Sequence, residues 1–346
     1  DVDDALRAPL AVVARLLADP AGADRRRVSS ACLKIADWAE KKEALATALA
    51  FTQAAALTGS NDARISYAVG RIARQRAEYP RAETWFRRAI LLGRQGGDWE
   101  SYAMAFGGLG NRYMQRGNLP AAQKALLRSY RAAKRKGLRS VQAMSLHDLF
   151  VIAVQRHQVR EAEEMAASAL RAYGAGHARL PFLAHDVAVF WMDQGCYAPA
   201  LTVLSALQPH FQRPTEQARV LAHIALAAAG LNDMKRYEEA WTAASNLVAG
   251  TATVGTASVY LSLADAAAMA HQLDRTAAVA KQAIMLADVR EEAGLKERAE
   301  ARLAEAENGQ RAPGFDETQA EPWIMEHADA LADSFAKSLQ TSVAVR

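Results

Sequence analysis

The chain has 346 residues, with abundant alanine, 20 glycines, 10 prolines and a formal net charge of +4. No segment combines strict polar and apolar alternation with turn residues, so an all-α protein is expected. Outside alanine-rich helical segments, no stretch approaches 18 uncharged apolar residues, which argues against a membrane span. Cys32 and Cys196 lie far apart at positions expected to be packed. They predict buried free thiols and favour a reducing, cytoplasmic setting.

The first element is an amphipathic helix over residues 4–18. It is followed by a charged loop that ends at Arg27, and residues 1–27 are predicted to cap the domain behind them. The apolar residues expected to face inward are Leu6, Leu10, Val13, Leu16 and Leu17.

A unit of about 40 residues then recurs seven times over residues 28–307. In its clearest copy, Leu109-Gly110 lies on one helix, Gly117 ends that helix, and Ala122 is the small contact on the next helix. Gly110 lets the second helix cross closely, and Tyr113 covers the crossing. The register follows the small residue that opens each second helix: Ala44, Ala82, Ala122, Ala162, Ala200, Ala240 and Thr276.

This pattern resembles the tetratricopeptide repeat, in a long variant similar to repeats in bacterial signalling and transcription-regulator proteins. The resemblance implies a right-handed α-solenoid of about seven helix–turn–helix repeats, with first helices lining a concave groove and second helices on the convex face. It also implies a non-catalytic surface that binds proteins or peptides.

Projecting that geometry onto the sequence gives a set of groove residues. An asparagine beside arginines suits an extended peptide, because amides pair with backbone groups and guanidinium groups bind carboxylates. For Arg71, a surface salt bridge is the favoured alternative to ligand binding. The dicarboxylate clamp of chaperone-binding family members is not reproduced. The groove candidates are Tyr67, Arg71, Arg74, Asn111, Met114, His147 and His185, with Gly107, Phe182 and Met192 beside them.

Charge is distributed unevenly. Residues 1–160 carry 27 basic and 14 acidic residues, and no acidic residue occurs between Glu100 and Asp148. A basic stripe on one helix face is formed by Lys124, Arg128, Arg131 and Arg135. The stripe predicts either a docking site for an anion or a solvated face that keeps the array soluble. Aromatic residues are not interleaved with it, which makes single-stranded nucleic acid the less favoured partner.

Three His positions recur at a spacing of 38, with Asp after the first two: His147, His185 and His223. Equivalent positions on successive first helices are about 10 Å apart, whereas zinc ligands lie near 2 Å from the metal. We therefore expect polar groove residues, no metal site and no cofactor. Phosphate loops, metalloprotease motifs and serine-nucleophile motifs are absent from the sequence, so no enzyme is expected.

Residues 308–346 read as a linker followed by an acidic amphipathic helix over residues 323–339. That helix has three open roles: capping the last repeat, docking on a neighbouring molecule, or folding back into the basic groove. The chain starts without methionine, which suggests a processed protein or a fragment lacking an effector domain.

The preferred function is the partner-binding part of a bacterial-type regulator that recognises a peptide or protein segment in its groove. The alternative is an assembly scaffold that uses the basic stripe to hold an acidic protein or nucleic acid. A homodimer through the terminal repeats or the C-terminal helix is also open.

Overall fold

The computed structural model describes residues 3–58, 61–309 and 322–344. This part of the chain contains helices and no strand, as the sequence predicts. A short 3₁₀ helix spans Gln208–His210. The α-helices are α1 (Asp4–Ala18), α2 (Arg25–Lys41), α3 (Leu45–Leu57), α4 (Ala63–Gln75), α5 (Tyr79–Gly96), α6 (Trp99–Gln115), α7 (Leu119–Arg135), α8 (Arg139–Gln155), α9 (Val159–Tyr173), α10 (Leu180–Asp193), α11 (Tyr197–Leu207), α12 (Pro214–Gly230), α13 (Met234–Val248), α14 (Thr256–Met269), α15 (Leu273–Val289), α16 (Ala293–Glu307) and α17 (Pro322–Ala344).

Helices α2 to α15 form seven consecutive helical hairpins, which matches the predicted number of repeats. The chain divides into two compact units, Asp1–Ala172 and Tyr173–Arg346, called here unit 1 and unit 2. Unit 1 contains α1 and four hairpins, and unit 2 contains three hairpins followed by α16 and α17. Unit 1 carries 28 basic and 17 acidic residues, whereas unit 2 carries 14 basic and 21 acidic residues.

The repeat register follows the fourth residue of each second helix. These residues are at most 1% exposed, because each packs into the crossing with its first helix: Ala48, Ala82, Ala122, Ala162, Ala200, Tyr237 and Thr276. The predicted register is therefore correct in five repeats. It is wrong for Ala44, which caps the start of α3, and for Ala240, which lies one turn beyond Tyr237. In the sixth repeat this position holds the large residue Tyr237, which a pattern of small residues does not predict. The Tyr237 hydroxyl donates to Oε1 of Gln272 at 2.8 Å.

Glycines on the first helices allow the close crossings that the sequence predicts. A Cβ added at Gly110 would lie 2.5 Å from Cγ of Leu126, and one at Gly70 would lie 2.7 Å from the Phe86 ring. Such distances are well inside van der Waals contact, so any larger residue forces the two helices apart.

Each first helix ends at a residue in the left-handed backbone region. In the third hairpin this residue is Gly117, and Asn118 N–H then donates to Tyr113 O at 3.0 Å, which closes the helix end. The other hairpins repeat this geometry, but only one of them uses glycine. The equivalent residues, with φ between 55° and 77°, are Glu43, Ala77, His157, Gly195, Asn232 and His271.

Helix α1 packs on α2. Trp38 Nε1 donates to Asp3 Oδ2 at 2.8 Å and ties the two helices together. Leu6, Val13 and Leu16 face the protein. The prediction that Leu10 and Leu17 face inward is wrong, because among the described residues α1 packs mainly on α2 and both side chains point to solvent. Helix α2 also begins at Arg25, three residues before the predicted start of the repeats.

Helix α17 packs on α10 and α11 within unit 2. Its apolar face is buried, and the rings of Trp191 and Phe335 meet edge to face at 6.4 Å. The expectation that it caps the last repeat is wrong, because α16 covers α14 and α15 there. The predicted linker lies mostly outside the described residues. The buried residues of α17 are Ile324, Ala328, Ala332, Phe335 and Leu339.

Candidate functional site

Within unit 1, α4 packs on α6 and α6 packs on α8, so the first helices form one layer. The predicted groove residues fall into rows across it, because they are spaced by the 40-residue repeat: Tyr67 is equivalent to Gly107 and His147. Arg71 is likewise equivalent to Asn111. These residues, together with Arg74 and Met114, are half-buried and define what we call the first-helix face: Tyr67, Arg71, Arg74, Gly107, Asn111, Met114 and His147.

Arg71 is held by an ion pair. Its guanidinium donates to Oε2 of Glu40 at 2.7 Å, which links α4 to α2 across the first-helix face. This hydrogen bond is the main reason why the pKa of Arg71 is raised above its ordinary value. Of the two predicted roles, the salt bridge is the one the structure contains.

Among the described residues, Arg74 and Asn111, unlike Arg71, have no polar partner. The side chains of Arg74 and Asn111 form no hydrogen bond or ion pair in that part of the chain, although both are half-buried. A half-buried amide normally finds a partner, because desolvating it without one costs free energy. These two groups are therefore available to a ligand.

His185 is in unit 2 and does not resemble its unit 1 counterpart. The side chain is buried, and its Nε2 lies 2.9 Å from Nδ1 of His223. Nε2 of His223 lies 3.1 Å from the hydroxyl of Ser262, so a hydrogen-bonded chain links α10, α12 and α14. The expectation that the spacing of the helices keeps the side chains of these two histidines apart is wrong. The repeat between them is 37 residues rather than 38, which places His223 one position further round its helix.

This chain of two histidines and a serine has no oxyanion donors on α14 beside the serine. Ser262 lies inside α14, where the backbone N–H groups bond within the helix and cannot stabilise an oxyanion. The pKa of His223 lies well below its usual value, first because of burial and then because of the nearby His185 and Arg219. Among the described residues, no three His, Cys, Asp or Glu side chains are grouped as a metal site requires.

Two further groove candidates in unit 2 have packing roles. Phe182 is exposed but its ring meets Phe211 edge to face at 5.6 Å, and Met192 is buried. Helix α10 is buried on nearly all sides, since α11, α12 and α17 contact it. The repeat geometry alone could not predict this, because α17 is distant in sequence.

The basic stripe lies on α7, and its four cations are exposed. Three of them line an open pocket of about 430 Å³, whose other walls come from α6 and from Ala132 of α7. The pocket residues are Tyr102, Phe106, Arg128, Arg131, Ala132 and Arg135, and we call this site the arginine pocket. Lys124 belongs to the stripe but lies outside the pocket.

Aromatic residues stand beside the stripe, contrary to the sequence-based expectation. The Tyr102 ring meets Trp99 at 5.4 Å and Phe106 at 5.1 Å, in both cases edge to face. Arg128 lies over Phe106 at 5.6 Å, and Lys136 lies over Trp99 at 4.5 Å. These rings precede the stripe by about 25 residues, and the antiparallel hairpin brings them against it.

Some basic side chains of unit 1 are already paired with carboxylates and are not available to a ligand. Arg112 is buried and pairs with Oε2 of Glu83 at 2.8 Å, although the two residues are 29 positions apart. Arg87 also bonds Glu83 and is the main reason why the pKa of that carboxyl is lowered. Arg128, Arg131 and Arg135, by contrast, have no carboxylate within 4.0 Å in the described part of unit 1.

Both cysteines are buried free thiols, as predicted. Burial raises the pKa of Cys32, so its thiol stays protonated at neutral pH. No helix in the described ranges has both the length and the apolar character needed to cross a membrane.

No protein-family model matches the sequence, and no curated protein matches it. The fold is similar to that of a chain in the APC/C hetero-tetramer Cut9–Hcn1, with a TM-score of 0.56 and 14% identity, over 86% of this chain and 52% of the other. It is also similar to PilF of Pseudomonas aeruginosa, with a TM-score of 0.51 and 16% identity, over 66% of this chain and 95% of the other. Both are tetratricopeptide repeat proteins.

Proposed function

We propose that this chain, which has the fold of a tetratricopeptide-type repeat protein, binds an extended peptide segment of a partner protein along the first-helix face of unit 1. The observation that carries the proposal is the half-buried amide of Asn111, which has no partner in the described residues and lies one helical turn from Gly107. The regulatory role predicted from the sequence is part of this proposal and rests on the family resemblance.

Gly107 supports the proposal because the fold does not require it. Glycine inside a helix costs about 1 kcal/mol relative to alanine. A Cβ at Gly108 or Gly110 would collide with Phe86 or Leu126, whereas a Cβ at Gly107 would meet only Ser129 Oγ at 3.7 Å. A glycine without a packing reason is expected where a ligand backbone approaches the helix closely.

The neighbouring groups suit a peptide in an extended conformation. The Asn111 amide can both donate to and accept from a peptide backbone, and Arg74 can bind a carboxylate. Met114 offers a flexible apolar contact. The Arg71–Glu40 ion pair holds the edge of this face in place.

The test is to select binders from a displayed random peptide library with the full chain, and then to measure their affinity by fluorescence anisotropy. We expect Asn111→Ala to weaken binding about tenfold, because the loss of a hydrogen-bonded amide pair is worth about 1.4 kcal/mol. Gly107→Ala should also weaken binding, because the added Cβ blocks the close approach of the ligand backbone. Asn246→Ala is the matched control, because Asn246 is exposed on α13. Peptides that bind all three variants equally, or a library that yields none, would contradict the proposal.

The alternative function, an assembly scaffold acting through the basic stripe, is favoured by one specific observation, the arginine pocket. The dependence of binding affinity on ionic strength distinguishes the two functions. Binding through the three exposed arginines of the pocket weakens steeply with ionic strength. Binding on the first-helix face, where among the described residues Arg74 is the one cation facing the ligand and the other contacts are amide and apolar, weakens much less.

A further inference from the structure

The arginine pocket concentrates positive charge without compensation. Arg128, Arg131 and Arg135 are spaced by three and four residues on α7, so their side chains project from one face of the helix. Like charges at this spacing repel each other. No acidic residue occurs anywhere from 101 to 147, and no described carboxylate neutralises these three groups. Three guanidinium groups therefore surround one pocket and remain available to a ligand.

We propose that the arginine pocket binds a phosphorylated side chain of a protein partner, at a site separate from the first-helix face. A phosphoryl group carries close to two negative charges at pH 7 and three acceptor oxygens. It can therefore engage three guanidinium groups at once, whereas a single carboxylate offers one charge and two oxygens.

The pocket walls also fit this class of ligand. Arg128 is fixed over the Phe106 ring, which orients the guanidinium before any ligand arrives. The rings of Tyr102 and Phe106, together with Ala132, provide an apolar wall for the stem of the phosphorylated residue.

Size favours one phosphorylated side chain over a nucleic acid strand. The pocket of about 430 Å³ is built by a single hairpin. Strand-binding sites instead extend along a basic groove and stack successive bases on exposed aromatic rings. Here Phe106 is buried and Tyr102 is half-buried, so neither ring is a free stacking platform.

The test uses fluorescein-labelled pentapeptides, Gly-Ala-X-Ala-Gly, in which X is phosphotyrosine, phosphoserine, glutamate or tyrosine. Affinity for the full chain is measured by anisotropy. We expect at least one phosphorylated peptide to bind ten or more times more tightly than the glutamate peptide, and inorganic phosphate to compete with it. Equal binding of the glutamate and phosphorylated peptides would overturn the proposal.

Paired variants locate the binding. Arg131→Gln should weaken phosphopeptide binding at least tenfold, and Arg131→Lys should weaken it measurably because the planar fork is lost. Lys124→Gln removes the same charge from the same helix outside the pocket and should change affinity less than twofold. Equal losses for Arg131→Gln and Lys124→Gln would show diffuse attraction and reject the site.

Two further arms complete the experiment. A 12-nucleotide single strand should compete weakly, and competition stronger than that of the phosphopeptide would assign the pocket to nucleic acid instead. Asn111→Ala should leave phosphopeptide binding unchanged, so failure of this proposal and failure of the peptide-binding function can be told apart. All pocket residues to be replaced are exposed, and circular dichroism will check that each variant is folded.

Discussion

Nε2 of His185 lies 2.9 Å from Nδ1 of His223, so the two rings share a single hydrogen bond in unit 2. One ring must donate to the other, and protonating both would place two cations in contact. Asp186 beside His185, Arg219 on α12 and Ser262 on α14 complete their surroundings.

We expect this pair to make unit 2 sensitive to acid. In the unfolded chain His223 takes up a proton near pH 6.5, while in the folded chain its pKa is well below that value. The unfolded state therefore binds more protons, and stability falls as the pH drops below 6.5. We expect a loss of about 1 kcal/mol per pH unit over this range, measured by urea unfolding at pH 7.5 and pH 5.5. His223→Gln should reduce this pH dependence, and a variant with the wild-type pH dependence would rule out His223 as the cause.

The glycines of α6 should respond to alanine in opposite directions. Gly110→Ala should destabilise the protein by about 1–3 kcal/mol through overpacking against Leu126. Gly107→Ala should stabilise it by up to about 1 kcal/mol, because the added Cβ meets no obstacle and alanine favours the helix. Urea unfolding of the two variants measures both effects. Destabilisation by Gly107→Ala would show that the fold needs this glycine, and Gly107 would then no longer support the proposed peptide site.

The hairpin turns offer a second matched pair. Ala77 is exposed with φ near 58°, a conformation that costs a residue with a Cβ about 1 kcal/mol. Ala77→Gly should therefore raise the melting temperature by a few degrees. Gly117→Ala in the equivalent turn should lower it by a similar amount, although no atom lies within 4 Å of the added Cβ. Shifts of the same sign would show that side-chain contacts, rather than backbone conformation, control these turns.

Glu83 neutralises the buried guanidinium of Arg112. Glu83→Ala should destabilise unit 1 by about 3 kcal/mol, because it leaves a buried charge unpaired. Adding Arg112→Met should recover much of this loss, since the charge and its partner are then both absent. A double-mutant cycle by urea unfolding measures the coupling. Additive losses would mean that the ion pair contributes nothing beyond its individual residues.

Phe335 anchors α17 against Trp191 of α10. Phe335→Ala should destabilise unit 2 by about 3–5 kcal/mol, because a fully buried ring is removed. Ser334→Ala is the control, since Ser334 is exposed on the same helix. Thermal unfolding followed by near-ultraviolet circular dichroism measures the change. Equal stability of the two variants would show that α17 contributes little to the unit.

The local sequence pattern predicts the hairpins, but it does not predict the contacts between helices that are distant in sequence. Gly110, Gly117 and Ala122 predict the third hairpin because each is required by its immediate neighbours. The position of α17 could not be predicted, since an apolar face does not specify which helices it covers. The pairing of Arg112 with Glu83 likewise joins two separate helices.

The arginine pocket corresponds to a pattern in the sequence that becomes visible only when two neighbouring helices are compared. Trp99, Tyr102 and Phe106 are spaced by three and four residues, and so are Arg128, Arg131 and Arg135. When two such helices form an antiparallel hairpin, their stripes face each other in reverse order. The contacts of Lys136 with Trp99 and of Arg128 with Phe106 follow that order.

The docking of α17 on α10 and α11 has a consequence for how the protein is made. On the ribosome, 114 residues must be synthesised between the end of α11 and the start of α17. At about 5–20 residues per second, the nascent chain presents the surface around Trp191 uncovered for on the order of ten seconds. During that interval the apolar residues of α10 and α11 that α17 covers stay exposed to water, and unit 2 completes this part of its core only after α17 has been synthesised.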